Sequence, residues 1–146
     1  MLQTAEGSLD EVSSIMLRMK ELAEQSLNGT LTDTDRSYLH SEYQALMEEV
    51  DRISESAQFN GVPLLDGTGG LVGIQVGIGA GANDRVNVDL NNPLDTTGLS
   101  LATSVDTVAN ATLAMAEVDS AITTVVSTRG GFGALQNRLE SSIRNI

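Results

Sequence analysis

The chain contains 146 residues, and its mass of 15.4 kDa is that of one ordinary domain. Its 20 Asp and Glu residues outnumber its 8 Lys and Arg residues, and the net charge of −12 disfavours nucleic acid and anionic membranes as partners because like charges repel. The sequence has no cysteine and a single histidine, His40, which excludes disulfides, cysteine nucleophiles, thiolate zinc sites and multi-histidine metal sites.

Aromatic residues make up only 3% of the chain, so its core must be aliphatic, as is typical of packed helices. No apolar run approaches the roughly 18 residues of a membrane span, and the N-terminal sequence is acidic and lacks an apolar segment. We therefore expect neither a membrane anchor nor a cleaved signal peptide.

Regularly spaced apolar residues predict a first helix over residues 2–27. Their spacing alternates between three and four, which is the heptad spacing of a helix that packs on another helix. The pattern stops at Asn28, and the following Gly29 suits a left-handed conformation that ends a helix. The stripe comprises Leu2, Ala5, Leu9, Val12, Met16, Met19, Ala23 and Ser26, with Ile15 and Leu22 beside it.

A second helix is predicted over residues 33–57. Hydroxyl and carboxylate side chains within residues 31–35 offer N-cap candidates for it. Because the loop between the two helices is short, we expect them to form an antiparallel hairpin. The apolar stripe of this helix comprises Leu39, Tyr43, Leu46, Val50, Ile53 and Ala57.

The character of the sequence changes at residue 58. Glycine and proline are frequent in residues 58–104, so helix does not continue there. Two alternating apolar segments predict a β-hairpin, and Pro93 begins a connector because proline donates no hydrogen bond to a sheet. The alternating residues are Ile74, Val76 and Ile78 in the first strand and Val86, Val88 and Leu90 in the second.

Helical spacing returns and predicts a long third helix over residues 105–146, of roughly 60 Å at 1.5 Å per residue. Gly130, Gly131 and Gly133 fall within one turn, which favours a kink or a close helix contact there because each glycine weakens a helix by about 1 kcal/mol. The stripe comprises Val108, Ala111, Met115, Val118, Ile122, Val125, Phe132, Leu139, Ile143 and Ile146.

Together these elements predict a mainly α fold in a single domain covering residues 1–146. We expect an antiparallel rod or bundle of three long helices, with a small β-hairpin region inserted between helices two and three. The periodicity leaves open whether the apolar faces form a monomeric core or also pack against neighbouring subunits.

No arrangement of residues predicts catalysis, a cofactor or a metal. The glycine-rich segment 77–81 precedes a predicted strand, whereas a phosphate-binding loop must open a helix. Carboxylate pairs such as Glu48-Glu49 lie on faces that the periodicity assigns to solvent. We therefore expect that the protein is not an enzyme.

Two blocks of the sequence, separated by a variable middle, resemble the conserved halves of bacterial flagellin. The first block comprises residues 3–12 (QTAEGSLDEV), 17–26 (LRMKELAEQS), 28–30 (NGT), 49–53 (EVDRI) and 58–61 (QFNG), and the second is residues 133–143 (GALQNRLESSI). Because both blocks occur in the order of the family and cover nearly the whole chain, the resemblance is specific.

The resemblance implies a structural subunit of the extracellular flagellar filament, which serves motility and assembles with other flagellin subunits. It also implies passage through the flagellar export machinery with a chaperone, and it implies no cofactor. We expect a core-domain fragment that lacks the terminal coiled-coil segments through which flagellins polymerise. The alternative within the family is a hook–filament junction protein or another flagellar adaptor.

Some flagellins are also recognised by the flagellin-sensing Toll-like receptor of animals, and the resemblance makes this chain a candidate ligand. In the family the receptor contact uses an Arg and a Leu on the first core helix and a Glu on the second, which align with Arg18, Leu22 and Glu42. The alternative for the residues of that contact is a protofilament contact or a solvated helix face. An Arg anchor beside an apolar residue and a carboxylate is typical of interface hot spots. The full set of residues expected at a receptor or protofilament interface is Arg18, Leu22, Gln25, Glu42, Gln136, Asn137, Arg138 and Leu139.

Overall fold

Three helices and two small antiparallel sheets follow one another in the computed structural model, which describes residues 1–79, 81–102 and 104–145. The order of elements confirms the predicted mainly α fold, with strands between the second helix and the third. The helices are α1 (Leu2–Ser26), α2 (Asp33–Ser56) and α3 (Val108–Asn145), and the strands are β1 (Gln58–Phe59), β2 (Val62–Pro63), β3 (Leu71–Gln75) and β4 (Arg85–Asp89).

Helix α1 lies between the other two helices. All eight residues of its predicted stripe are buried, and so is Leu22 beside the stripe. Ion pairs of Lys20 with Asp119 and of Asp10 with Arg129 show that α3 runs antiparallel to α1. Because α2 packs against another side of α1, the buried face of α1 is wider than a single heptad stripe.

The corner between α1 and α2 is organised by Arg36 rather than by glycine. Helix α1 ends at Ser26, and Gly29 has no positive φ, so the predicted left-handed glycine cap is wrong. The guanidinium of Arg36 donates hydrogen bonds to three backbone carbonyl oxygens, those of Ser26 (3.0 Å), Asn28 (3.0 Å) and Leu31 (2.9 Å). This buried side chain therefore satisfies carbonyls that a helix end would leave without partners.

The N-terminus of α2 carries a capping box. The Thr32 hydroxyl accepts a hydrogen bond from the Asp35 amide (3.2 Å), and the Asp35 carboxylate accepts one from the Thr32 amide (2.9 Å). The Thr32 hydroxyl also donates to the Asp35 carboxylate (2.7 Å), and this bond, followed by the one from the Thr32 amide, lowers the pKa of Asp35 below its usual value. The predicted N-cap within residues 31–35 is therefore confirmed at Thr32.

The region between α2 and α3 contains two hairpins. In the first, Asn60 and Gly61 both adopt positive φ and join β1 to β2, a hairpin that the sequence analysis did not predict. In the second, β3 and β4 pair in the register Ile74 to Val86, which confirms the predicted hairpin. Its first strand ends at Gln75, earlier than expected, because the amides of Val76 and Gly77 both donate to the Asp84 carbonyl instead of continuing the regular pairing. The fully exposed Ile78 therefore lies beyond the sheet.

Side-chain hydrogen bonds fix this region and the connector to α2 and α1. The Ser54 hydroxyl donates to the Leu65 carbonyl (2.9 Å), and the Asp51 carboxylate accepts from the Thr96 amide (2.7 Å). The Ser26 hydroxyl donates to the Val105 carbonyl (2.5 Å), which brings the chain back to the end of α1. The connector therefore begins α3 beside the α1–α2 corner.

Helix α3 begins three residues later than predicted, at Val108 instead of residue 105. The Thr107 hydroxyl accepts a hydrogen bond from the Asn110 amide (3.1 Å) and so acts as the N-cap. Val108 and Ile143 of the predicted stripe are exposed, whereas Ala114 and Ala121 are buried instead. Ile146 lies outside the described residues.

The glycine cluster does not interrupt α3. The helix continues through Gly130, Gly131 and Gly133. A Cβ atom added at any of them would have no neighbour within 4 Å apart from the helix's own adjoining backbone, so the expected close helix contact is absent from this structure.

We predict that Arg36→Met destabilises the protein by about 2–3 kcal/mol, because the buried carbonyls lose a charged donor while the apolar length of the side chain is kept. Urea denaturation followed by circular dichroism measures the change. Arg52→Met is the matched control, since Arg52 is exposed and pairs with Glu49 at the surface, so its loss should change stability little. Equal effects of the two substitutions would contradict the capping role of Arg36.

Candidate interaction surfaces

Arg18 and Glu42, predicted to share an interface, do lie together. The Arg18 Nε donates to a Glu42 carboxylate oxygen at 2.9 Å, and its Nη1 lies 3.1 Å from a Glu21 carboxylate oxygen. All three side chains are largely exposed, and the two carboxylates, Glu42 first, raise the pKa of Arg18. Solvent screens such pairs, so they orient the side chains more than they stabilise the fold.

Leu22 does not belong to this exposed surface. Its side chain is completely buried in the core face of α1. The predicted interface therefore loses this residue, because a partner would have to open the helix packing to reach it. The apolar side chain exposed beside Arg18 is Leu17, at 56% of its full area.

Two further residues extend the exposed surface around Arg18 and Glu42. Gln25 is exposed two helical turns after Arg18 on the same face of α1. Tyr38, which is 72% exposed, lies one turn before Glu42 on the same face of α2. Neither Tyr38 nor Glu21 is among the predicted interface residues, although the helical spacing of Tyr38 from Glu42 and of Glu21 from Arg18 was a signal for both. We call Arg18, Glu21, Gln25, Tyr38 and Glu42 the α1–α2 surface.

The predicted residues of α3 face in two directions. Gln136 is half-buried and donates to the Glu6 carboxylate (3.1 Å), and Leu139 packs against the core. Asn137 and Arg138 are exposed and border a shallow depression between α3 and the β3–β4 hairpin. Because Glu6 precedes Arg18 by 12 residues, these side chains lie about 18 Å along α1 from the α1–α2 surface. The structure therefore divides the predicted interface into two separate places.

A third surface, which the sequence analysis did not single out, runs along α3. Its residues are exposed, small and uncharged, and they recur at spacings of four and three. Arg129 is the one charged residue between positions 120 and 137, and it pairs with Asp10 of α1 at 2.6 Å. The outer face of α3 is thus free of unpaired charge in a strongly acidic chain. It comprises Ser120, Thr124, Ser127, Gly131 and Ala134.

The described residues give little support for catalytic chemistry. Within residues 1–79, 81–102 and 104–145, no three His, Cys, Asp or Glu side chains are grouped as they would be around a metal ion. Burial raises the pKa of Tyr43 to about 12, which keeps its hydroxyl neutral under ordinary conditions.

No helix in the part of the chain that the structure describes is long and apolar enough to cross a bilayer.

Comparison with known proteins identifies relatives along the whole chain. A family model described as the bacterial flagellin N-terminal helical region matches residues 1–69. A flagellin of Halalkalibacterium halodurans is 40% identical in an alignment that covers 100% of this chain and 54% of that protein. The flagellar filament 30.7 kDa core protein of Treponema maltophilum is 35% identical, over 99% of this chain and 55% of that protein. The chain thus spans about half the length of these curated relatives.

A solved structure resembles this chain in its three-dimensional fold as well. The crystal structure of Bacillus cereus flagellin superposes with a TM-score of 0.87 at 32% identity, and the match covers 99% of this chain and 83% of that one. Sequence and fold therefore agree over nearly every residue, and they agree with the resemblance of the two conserved blocks. This chain belongs to the flagellin family.

Proposed function

We propose that the chain is the core packing domain of a structural subunit of the bacterial flagellar filament, and that it carries out no chemical reaction. The observation that carries this proposal is the outer face of α3, an exposed helix face without unpaired charge. Subunit interfaces are depleted of charged residues at their centres, and small side chains let helices approach closely. The 38 residues of α3 extend about 57 Å, and the outer face from Ser120 to Ala134 occupies about 21 Å of that length.

The proposed location follows from the same role. A filament subunit lies outside the cell, in the flagellum, and we propose that this chain reaches it through the flagellar export channel with a chaperone. The absence of cysteine is compatible with passage of an unfolded chain, since no disulfide can form on the way. The family alternative, a hook–filament junction protein or other adaptor, would use the same helices but would end growth in a short cap or ring.

Assembly tests the proposal directly. In a chimera, this chain replaces the aligned segment of the Halalkalibacterium flagellin, which is 54% of that protein, so that the remainder supplies its terminal segments. We expect the chimera to elongate filament seeds, because the packing faces of the core are retained. Electron microscopy measures filament length. A short cap or ring that blocks the seeds would favour the junction alternative.

Charge on the outer face of α3 should stop this growth. The double substitution Thr124→Glu, Ser127→Glu places two carboxylates on the outer face, and we expect it to abolish elongation while helicity is unchanged. Ser41→Glu is the matched control, because Ser41, like Thr124, is exposed and hydrogen-bonds to the carbonyl four residues earlier. Undiminished growth of the double variant would contradict a packing role for this face.

We further propose that the α1–α2 surface binds the flagellin-sensing Toll-like receptor. The supporting observation is that Arg18 and Glu42, distant in sequence, share one exposed surface with Gln25. An Arg already oriented by two carboxylates loses less conformational freedom when a partner binds.

Binding to the purified receptor ectodomain tests this role. We expect Arg18→Ala to weaken binding by about thirtyfold or more, the size of a hot-spot effect. Arg52→Ala removes an exposed arginine that lies ten residues after Glu42, about 15 Å along α2, and serves as the control. No binding by the parent chain, or equal loss in the two variants, would contradict the proposal.

A further inference from the structure

The α1–α2 corner contains an Asn-Gly dipeptide whose asparagine side chain is engaged by two donors. Asn28 is exposed, and its side-chain oxygen Oδ1 accepts hydrogen bonds from the Thr30 amide (3.1 Å) and the Thr30 hydroxyl (3.0 Å). Both donors point at the oxygen that would gain negative charge if a nucleophile attacked the side-chain carbon Cγ. Donors in that position stabilise the tetrahedral intermediate of acyl transfer.

The neighbouring backbone group is polarised as well. The Arg36 Nη2 donates to the Asn28 carbonyl oxygen at 3.0 Å, and this carbonyl belongs to the same peptide group as the Gly29 nitrogen. A cation on the carbonyl stabilises the deprotonated amide, so the Gly29 nitrogen becomes a better nucleophile. Within the described residues, the Gly29 amide donates no hydrogen bond, and no neighbour lies within 4 Å of where a Cβ would stand.

We propose that Asn28 is a site of self-modification, at which the Gly29 nitrogen attacks Asn28 Cγ. In this step the Gly29 N–H proton passes to base, the new N–C bond closes a five-membered succinimide, and the Cγ–N bond breaks to release ammonia. Water then adds to one of the two ring carbonyls and opens the ring. The product is aspartate or isoaspartate, and the net reaction exchanges an amide and water for a carboxylate and ammonium.

The chain contains its own comparison site. Asn60-Gly61 is the same dipeptide and is also exposed, but no hydrogen bond reaches the Asn60 side chain or its carbonyl from the described residues. Asn60 is also held at a φ of 51° between the paired strands β1 and β2. Asn60 therefore lacks both polarising contacts and should react more slowly than Asn28.

The modification has a structural consequence at the corner. Isoaspartate adds a methylene to the backbone, which moves the residue 28 carbonyl away from its position opposite Arg36. Arg36 then keeps only the carbonyls of Ser26 and Leu31 as backbone acceptors. Conversion should therefore loosen the junction of α1 and α2.

Peptide mass spectrometry tests the proposal by following both asparagines in one sample of the folded protein aged in mildly alkaline buffer. The expected result is conversion of Asn28 about tenfold faster than that of Asn60, equivalent to about 1.4 kcal/mol in activation free energy. In concentrated urea, which removes the folded contacts, the two rates should become similar. Equal rates in the folded protein, or faster conversion of Asn60, would overturn the proposal.

Substitutions at residue 30 isolate the role of the hydroxyl. Thr30→Ser keeps the donor and Thr30→Val removes it with little change in size. We expect the valine variant to convert Asn28 several-fold more slowly than the serine variant, while Asn60 is unaffected in both. Gly29→Ala, which hinders the nucleophile, should slow Asn28 by about tenfold or more. Identical Asn28 rates in the serine and valine variants would contradict activation by Thr30.

Discussion

Burial of α1 on two sides is the constraint on which the rest of the fold depends. Nine of its residues are buried, and each large apolar side chain among them contributes about 1.5–3 kcal/mol when removed from water. Helices α2 and α3 are each buried mainly on the side that meets α1, so each keeps an exposed face along its length. A central helix with two partners thus yields a long, narrow domain whose outer faces remain exposed.

Polar contacts determine how the three helices are aligned along this core. Lys20 with Asp119 and Asp10 with Arg129 fix the register of α3 against α1, and Arg36 fixes the corner from which α2 departs. Pairing Arg129 with α1 has a further effect, because it removes the one charge from the middle of α3. The ion pair of Arg129 with Asp10 therefore aligns α3 with α1 and also leaves the outer face of α3 without unpaired charge. This contact links the fold to the proposed packing of subunits.

Periodicity was sufficient to predict the helices, since every residue of the α1 stripe is buried and the α2 bounds agree within one residue. The spacing puts Leu22 beside the buried stripe of α1, whereas the family resemblance predicts it at an interface; its complete burial agrees with the spacing. Spacing does not reveal that Arg36 caps a helix in the preceding segment. The β1–β2 hairpin could have been found, because Asn-Gly is the preferred turn of two-residue hairpins. Among the residues predicted at an interface, only the family resemblance could predict that Arg18 and Glu42 lie together.

Native-state amide hydrogen exchange tests most directly whether α1 is the central element. If it is, amides in the middle of α1 should exchange only through global unfolding, with protection that matches the unfolding free energy from urea denaturation. Amides of α3 beyond Gly133 should exchange faster, since that segment packs on α1 along one side and follows three weakening glycines. Slowest exchange in α2 or in distal α3, with α1 opening at lower free energy, would contradict this account.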